Sequence, residues 1–233
     1  GGIEVLSTST VNSNGGNITL SGGTALATGY AKGTSATTTA IGGYAGVMIA
    51  GSLSSGAGNI VIRGQDSATT GTNYGTGVEL DKAGSIQATT GSVTITGTVN
   101  SANVDTGNFH NGVILGFSGT GTAAIGTTTG AINITGNTSN SNYTNRITLG
   151  LWAVNVTSTS GAVNLTATSA ASNSKQLTFD GTTPPSINSG SGAITIIGNT
   201  GGTSDMFLAG TLTSTNSILI QSNKPAFSSS TTF

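Results

Sequence analysis

The sequence predicts an all-β fold: a right-handed parallel β-helix, or solenoid, with three short strands per coil and about seven coils. Three observations predict it. A phrase of alternating apolar and polar residues between two glycines recurs along the whole chain. Charged residues make up only 6% of the chain, while glycine, serine, threonine and asparagine are abundant. The apolar residues follow the two-residue period of half-buried strands, with no convincing helical period.

The recurring phrase supplies the first strand of each coil. Its clearest copy is residues 91–97, in which Val93 and Ile95 point to one face and the residues between them to the other. Successive copies begin at residues 16, 58, 91, 130, 161, 192 and 216. One coil cannot bury its own apolar row, but coils stacked about 4.8 Å apart cover one another and pair every backbone group.

Each repeat carries two further apolar segments after the glycine-framed strand. These are residues 77–80 and 84–87 in the second coil, 112–115 and 122–126 in the third, 176–180 and 186–188 in the fifth, and 206–209 and 211–213 in the sixth. Residues 1–15 align with the second and third strands of a coil, and residues 217–233 open another. Short strands with glycine- and serine-rich corners predict a triangular coil, and parallel crossovers favour right-handed winding.

The repeat length varies mainly in the link between the first and second strands. This link is long at residues 22–43, 65–76 and 98–111 and short at residues 199–205. Because every link follows the same strand, the loops are expected to line one edge of the solenoid. Variable loops on one edge are where a repeat protein commonly places a binding surface.

Composition excludes several classes of function. The chain has no cysteine, which excludes disulfides and thiolate metal sites. Its net charge of −1 argues against a nucleic-acid partner, since nucleic-acid-binding proteins carry basic patches. We expect no cofactor and no metal ion. The low charge and the threonine- and asparagine-rich surface favour lateral or end-to-end self-association, or association with matrix polysaccharide.

The glycine-framed strands, with Val, Ile or Leu at alternate positions and Gly, Ser, Thr, Asn and Ala between them, resemble the filamentous-haemagglutinin-like exoproteins of two-partner secretion. The resemblance covers essentially the whole chain. It implies a secreted structural shaft at the bacterial cell surface, belonging to a large adhesin or filament that mediates attachment or aggregation. The implied partners are glycans of host or neighbouring cells or of the matrix, and an outer-membrane transporter during secretion.

One departure from the family pattern concerns its N-terminal secretion domain, which carries Asn-Pro-Asn motifs. Prolines occur here only at positions 184, 185 and 225, so those motifs are absent. The chain therefore resembles the shaft and not the secretion domain. We expect residues 1–233 to form a single β-helix segment of a longer repeat array.

Right-handed β-helices also include enzymes that cleave polysaccharides with carboxylates grouped on one face. Glu79 and Asp81 lie two residues apart on one predicted strand, so both should point the same way, about 6.6–6.8 Å apart. Such a pair suits an inverting hydrolase or part of a calcium site. The alternative, which we adopt, is a solvated outer face with Lys82 balancing the charge. We therefore expect no enzyme, with a polysaccharide-binding or polysaccharide-cleaving protein as the alternative function.

The other acidic residues form no group in the predicted register. Asp180 aligns with Asp81 but lies three coils away, roughly 14 Å, which is too far for a catalytic dyad. Asp205 aligns with neither of them. Asp66 and Asp105 follow first strands and are interpreted as turn formers.

His110 is the single histidine of the chain, with no acid or second histidine at a recognisable spacing. We interpret it as a loop residue beside Phe109, without a metal or triad role.

Trp152 is expected to point outward or lie at a corner, where it packs on a neighbouring loop or stacks on a sugar ring. The remaining aromatic residues in or beside the long loops are expected to pin those loops to the shaft or to form a binding edge; they are Tyr30, Tyr44, Tyr74, Phe109 and Tyr143.

Two further patterns concern the surface of the predicted solenoid. Asn-x-Ser/Thr triplets, geometrically open to glycosylation on outward faces, start at Asn17, Asn133, Asn137, Asn142, Asn155 and Asn164. A flat ice-binding face would need an unbroken threonine ladder. Thr19, Thr94 and Thr195 share one position, but Val61, Asn133 and Asn164 interrupt it. We therefore expect no ice-binding activity.

Overall fold

The structure is a computed structural model that describes residues 1–25, 27–33, 45–66, 75–99, 110–138, 147–169, 175–180, 182–198, 206–222, 225–227 and 231–232. Within these ranges every regular element is a β-strand, as predicted. The same residues include no helix with the length and apolar character needed to cross a membrane.

The strands form three parallel sheets, which we call I, II and III. Sheet I contains β3 (Ile18–Leu20), β4 (Ala31–Lys32), β7 (Ile60–Gln65), β10 (Val93–Val99), β13 (Ile132–Thr138), β16 (Val163–Ser169), β19 (Ile194–Gly198) and β22 (Ile218–Gln221). Sheet II contains β1 (Ile3–Val5), β5 (Ala45–Ile49), β8 (Gly75–Leu80), β11 (His110–Leu115), β14 (Ile147–Leu151), β17 (Lys175–Phe179), β20 (Met206–Leu208) and β23 (Pro225–Phe227). Sheet III contains β2 (Thr10–Asn12), β6 (Ser52–Gly56), β9 (Ser85–Ala88), β12 (Ala123–Thr127), β15 (Val154–Ser158), β18 (Ser186–Gly190) and β21 (Thr211–Ser214).

Along the chain, a strand of sheet I is followed by one of sheet II and then by one of sheet III. Each strand pairs in parallel with the equivalent strands one coil before and one coil after. The chain is therefore a right-handed parallel β-helix of about seven coils, as the sequence predicts. Residues 1–15 supply β1 and β2, so the predicted register of the first coil is confirmed.

The core consists of columns of apolar side chains that run along the solenoid axis. One column of sheet I joins Ile18, Ile60, Val93, Ile132, Val163, Ile194 and Ile218 in register. Sheet III supplies the column Val11, Leu53, Ile86, Ile125, Val156, Ile187 and Leu212. All members of the two columns are buried except Val11 in the first coil and Ile218 in the last. Each buried aliphatic side chain contributes about 1.5–3 kcal/mol relative to its exposed form.

The corner from sheet III to sheet I is built by a recurring Ser/Thr-x-x-Gly phrase. The Oγ of Ser55 donates to the carbonyl of Gly58 at 2.5 Å, and Ser189 does the same to Gly192 at 2.6 Å. The glycines of successive corners stack in one column, so a Cβ on Gly130 would overlap the carbonyl oxygen of Gly91. Close approach between coils, and not a positive φ, therefore requires glycine at the end of this phrase.

A second close approach narrows the coil where sheets I and II meet. A Cβ on Gly64 of β7 would overlap the carbonyl oxygen of Gly77 in β8, and Gly97 stands in the same relation to Gly112. Beyond this waist the strands of sheet I continue past their predicted ends, for example to Val99 in β10. The described ends of sheets I and II there form a thin two-layer extension. Most residues of the links predicted to line one edge lie outside the described residues.

The glycine column predicts a position-specific effect on stability. Gly130→Ala should lower the free energy of unfolding by about 1–3 kcal/mol, because the new methyl group is forced against the backbone of the coil below. Urea unfolding followed by circular dichroism measures the change. Gly16→Ala is the matched control: Gly16 begins the column, and the nearest atom to its Cβ, the carbonyl oxygen of Ser13, is 3.5 Å away. We expect the control to change stability by less than about 0.5 kcal/mol. Equal losses in the two variants would contradict the close-packing explanation.

Candidate functional site

The predicted acidic pair is only partly brought together. Glu79 lies on the outward side of β8, yet it is 1% exposed, and the hydroxyl of Ser118 donates to its Oε1 at 3.0 Å. Asp81 follows the end of β8, where its Oδ1 accepts the backbone N–H of Lys82 at 2.8 Å. The expectation of a solvated outer face is therefore wrong for Glu79, because the chain of the next coil covers it.

The covering segment is residues 116–121, which connect β11 to β12. Gly116, Gly119 and Gly121 have φ values of 70°, 79° and 101°, which residues with a Cβ rarely adopt. The segment is held on the coil below by two backbone bonds, from Gly116 N to the Leu80 carbonyl at 2.7 Å and from Lys82 N to the Ser118 carbonyl at 2.8 Å. Asp81 packs directly against Gly119 of this segment: its Oδ1 is 2.7 Å from where a Cβ on Gly119 would lie.

Two aromatic rings meet at this segment. Phe117 is 44% exposed and contacts Trp152 edge to face, with ring centroids 4.8 Å apart and an interplanar angle of 80°. Trp152 lies at the corner between β14 and β15, and a Cβ on Gly150 would overlap its indole. The expectation that Trp152 lies at a corner and packs on a neighbouring loop is confirmed.

Asp180 occupies the same corner one coil above Trp152. Its Oδ2 accepts the backbone N–H of Thr183 at 2.9 Å and the hydroxyl of the same residue at 3.0 Å. Partial burial acts to raise the pKa of Asp180, but these bonds and those from Thr182 outweigh it and hold the pKa below its ordinary value of 3.8. Asp180 is therefore ionised at neutral pH.

These residues share one corner register. Leu80, Leu115, Leu151 and Phe179 pair in successive coils, so Asp81, Gly116, Trp152 and Asp180 follow one another along the axis. Asp81 and Asp180 are three coils apart, as predicted, which corresponds to about 14 Å between their backbones. We call Asp81, Phe117, Trp152 and Asp180 the acid–aromatic strip.

The single histidine is not a loop residue, which corrects the sequence interpretation. His110 begins β11 and is fully buried, and its Nδ1 lies 2.8 Å from Oδ2 of Asp66, which is also fully buried. Asp66 is thus not a surface turn former. The pair crosses the thin extension between sheets I and II, where Gly75 leaves room for both side chains.

The alternation of inward and outward residues along β7 indicates that Asp66 points inward. Ile60, Ile62 and Gly64 point inward, and two more residues bring Asp66 to the same face. A buried carboxylate requires a partner, because leaving a charge unpaired in the interior is costly. The interpretation of Asp66 as a turn former ended the strand too early. A second polar pair, Thr138 and Thr148, bridges the same two sheets one coil further on, and its hydroxyl oxygens lie 2.8 Å apart.

The described part of the loop edge has one aromatic contact. Residues 21–25 and 27–30 leave sheet I between β3 and β4, which both pair with β7. The guanidinium of Arg63 lies 4.6 Å from the ring centroid of Tyr30 and donates to its hydroxyl at 3.0 Å. A cleft of about 500 Å³ beside this excursion is lined in part by Lys32 and Gln65. Tyr30 therefore pins the excursion to the shaft, as one of the two expectations had it.

Several predicted positions lie outside the described residues: Tyr44, Tyr74, Asp105, Phe109, Asn142, Tyr143 and Asp205.

The interrupted threonine ladder is confirmed, since Thr19, Val61 and Thr94 pair in register. Higher in the same column, the Asn164 amide donates to Asn133 Oδ1 at 2.8 Å. Within the described ranges, no three histidine, aspartate or glutamate side chains converge as metal ligands would.

Comparison of the chain with protein-family profiles, curated proteins and solved structures returned no match.

The buried pair predicts strong energetic coupling between two residues 44 positions apart. Asp66→Ala and His110→Ala should each lower the free energy of unfolding by about 3–5 kcal/mol, because each leaves a buried polar partner uncompensated. The double variant should lose less than the sum of the two, with a coupling energy of about 0.5–3 kcal/mol in a urea-unfolding cycle. Additive losses would show that the two side chains act independently.

Asp180 predicts a dependence of stability on pH. Because its pKa is lowered in the folded chain, its contribution is present above the ordinary value of 3.8 and is lost as pH falls through the folded pKa. The urea midpoint of wild type should exceed that of Asp180→Ala at neutral pH, and the difference should shrink below about pH 4. Thr183→Ala, which removes one donor, should show a smaller loss of the same kind. A difference in urea midpoint that stays constant down to strongly acidic pH would contradict a lowered pKa of Asp180.

Proposed function

We propose that this chain is a structural shaft segment of a large secreted bacterial surface adhesin or filament, acting in attachment or aggregation. The observation that carries the proposal is the continuous parallel pairing of the three sheets from the first described coil to the last. Each coil contacts only its neighbours, so adding coils lengthens the rod without changing its cross-section. The described coils advance by about 4.8 Å each, which gives a rod whose length is set by the number of repeats.

The outward faces support the same role. Sheet I presents columns of threonine and asparagine, exemplified by Thr96, Thr135 and Thr166 in register. These side chains hydrate well without charge, so neighbouring shafts do not repel each other. The sequence resemblance to filamentous-haemagglutinin-like exoproteins adds the secreted, cell-surface setting and the passage through an outer-membrane transporter.

The alternative of polysaccharide cleavage receives less support. An inverting hydrolase needs two accessible carboxylates on either side of the bond that is cleaved. Glu79 is buried beneath Ser118, while Asp81 packs against Gly119 of the covering segment and accepts the backbone N–H of Lys82. This arrangement does not offer the substrate both carboxylates.

The shaft proposal predicts the size and location of the native protein. An antibody raised against this segment should detect, in cell-surface fractions of the source bacterium, a band far above the 22.6 kDa of the present chain. Culture medium and cytoplasmic fractions serve as controls for shedding and lysis. A soluble band near 22.6 kDa, absent from the surface fraction, would overturn the proposal.

A further inference from the structure

The acid–aromatic strip is one place where the regular surface of the solenoid is interrupted. The described outward columns of sheets I and III consist mainly of uncharged polar side chains. Here two carboxylates, Asp81 and Asp180, flank the aromatic pair of Phe117 and Trp152. We propose that this strip binds an extended peptide segment of a partner protein with basic residues at positions i and i+4 and an apolar residue at i+2.

Charge complementarity identifies the sign of the ligand. The corner contains three carboxylates, Glu79, Asp81 and Asp180, against one cation, Lys82. Glu79 is buried, so the negative charge at the surface comes from Asp81 and Asp180, which are both half-buried. Hydrogen bonds from Thr183 keep Asp180 in place without neutralising it. Lysine and arginine side chains are attracted both to these carboxylates and to the faces of aromatic rings.

Spacing identifies the form of the ligand. Three coils separate Asp81 from Asp180, or about 14 Å along the axis. An extended peptide advances about 3.3–3.6 Å per residue, so residues i and i+4 are about 13–14 Å apart. Residues i, i+2 and i+4 also point to the same side of an extended chain. The middle side chain therefore lies over Phe117 and Trp152, between the two acidic positions.

The strip is pre-organised for such contacts. Residues 116–121 are held by backbone bonds to Leu80 and Lys82, and three glycines fix the path of the segment. Phe117 rests against Trp152, which in turn lies on Gly150. Little ordering is therefore needed when a ligand binds, which lowers the entropic cost of recognition. Binding at an exposed strip remains weak and depends on salt, because each exposed ion pair contributes little.

Fluorescence provides a local readout, because Trp152 is the single tryptophan of the chain. The probe is a capped peptide containing Lys-Ser-Leu-Ser-Lys, titrated into the full chain at low and at high salt. The control peptide, Lys-Lys-Leu-Ser-Ser, has the same composition but adjacent charges. We expect the first peptide to change Trp152 fluorescence saturably, at least threefold more tightly than the control, with affinity falling as salt rises.

Three variants test the assignment of the strip. Asp180→Asn and Asp81→Asn should each weaken binding about two- to fivefold, and Phe117→Ala by a similar factor. Glu4→Gln removes the same charge from sheet II in the first coil and is the matched control, with no expected change. Circular dichroism of each variant establishes that the fold is retained.

Two results would overturn the proposal. One is equal affinity of the two peptides, or unchanged affinity in the Asp180 and Phe117 variants. The other is a saturable response to a neutral hexose oligosaccharide without a response to the basic peptide, which would assign the strip to a glycan. Either result leaves the proposed shaft role standing, because that role depends on the stacked coils and not on this corner.

Discussion

The parallel stacking of coils at a single strand spacing is the constraint on which the structure depends. Each strand must find its hydrogen-bond partners in the coils above and below, so every coil repeats the path of its neighbour. The stacked corner glycines show how little freedom this leaves: a Cβ on Gly130 would overlap the carbonyl of Gly91, and one on Gly91 would overlap that of Gly58. The same stacking buries columns of aliphatic side chains that one coil alone would leave in water.

Departures from the repeat are confined to places where they do not disturb this stacking. Residues 21–25 and 27–30 leave sheet I and return to pair with the same strand, β7. Residues 116–121 fold onto the outer face of sheet II and keep their backbone bonds to the coil below. Both departures bring together side chains that the repeat alone would not, Tyr30 with Arg63 and Phe117 with Trp152. Within the described residues, these are two places where non-repetitive side chains meet on the surface.

Several buried polar side chains contact another polar group across a sheet or a coil. His110 meets Asp66, Thr148 meets Thr138, and Ser118 meets Glu79. Such contacts are directional, and an unsatisfied member is costly in the dry interior, so they specify which segments face each other. In the thin extension between sheets I and II they take over the role that aliphatic columns have in the wider part of the coil.

The amino-acid sequence by itself determined the fold class, the three strands per coil and the alignment of Asp81 with Asp180, because alternation and glycine spacing are local and repeat. It also indicated that Trp152 points outward or lies at a corner. The burial of Glu79 and the pairing of Asp66 with His110 were decided only by the tertiary structure. The burial and the pairing both depend on which segments of neighbouring coils meet. The links between strands vary in length, so an alignment of the repeats does not show which segments meet. The acid–aromatic strip arises in the same way, since Phe117 reaches Trp152 only when residues 116–121 fold back over the coil below.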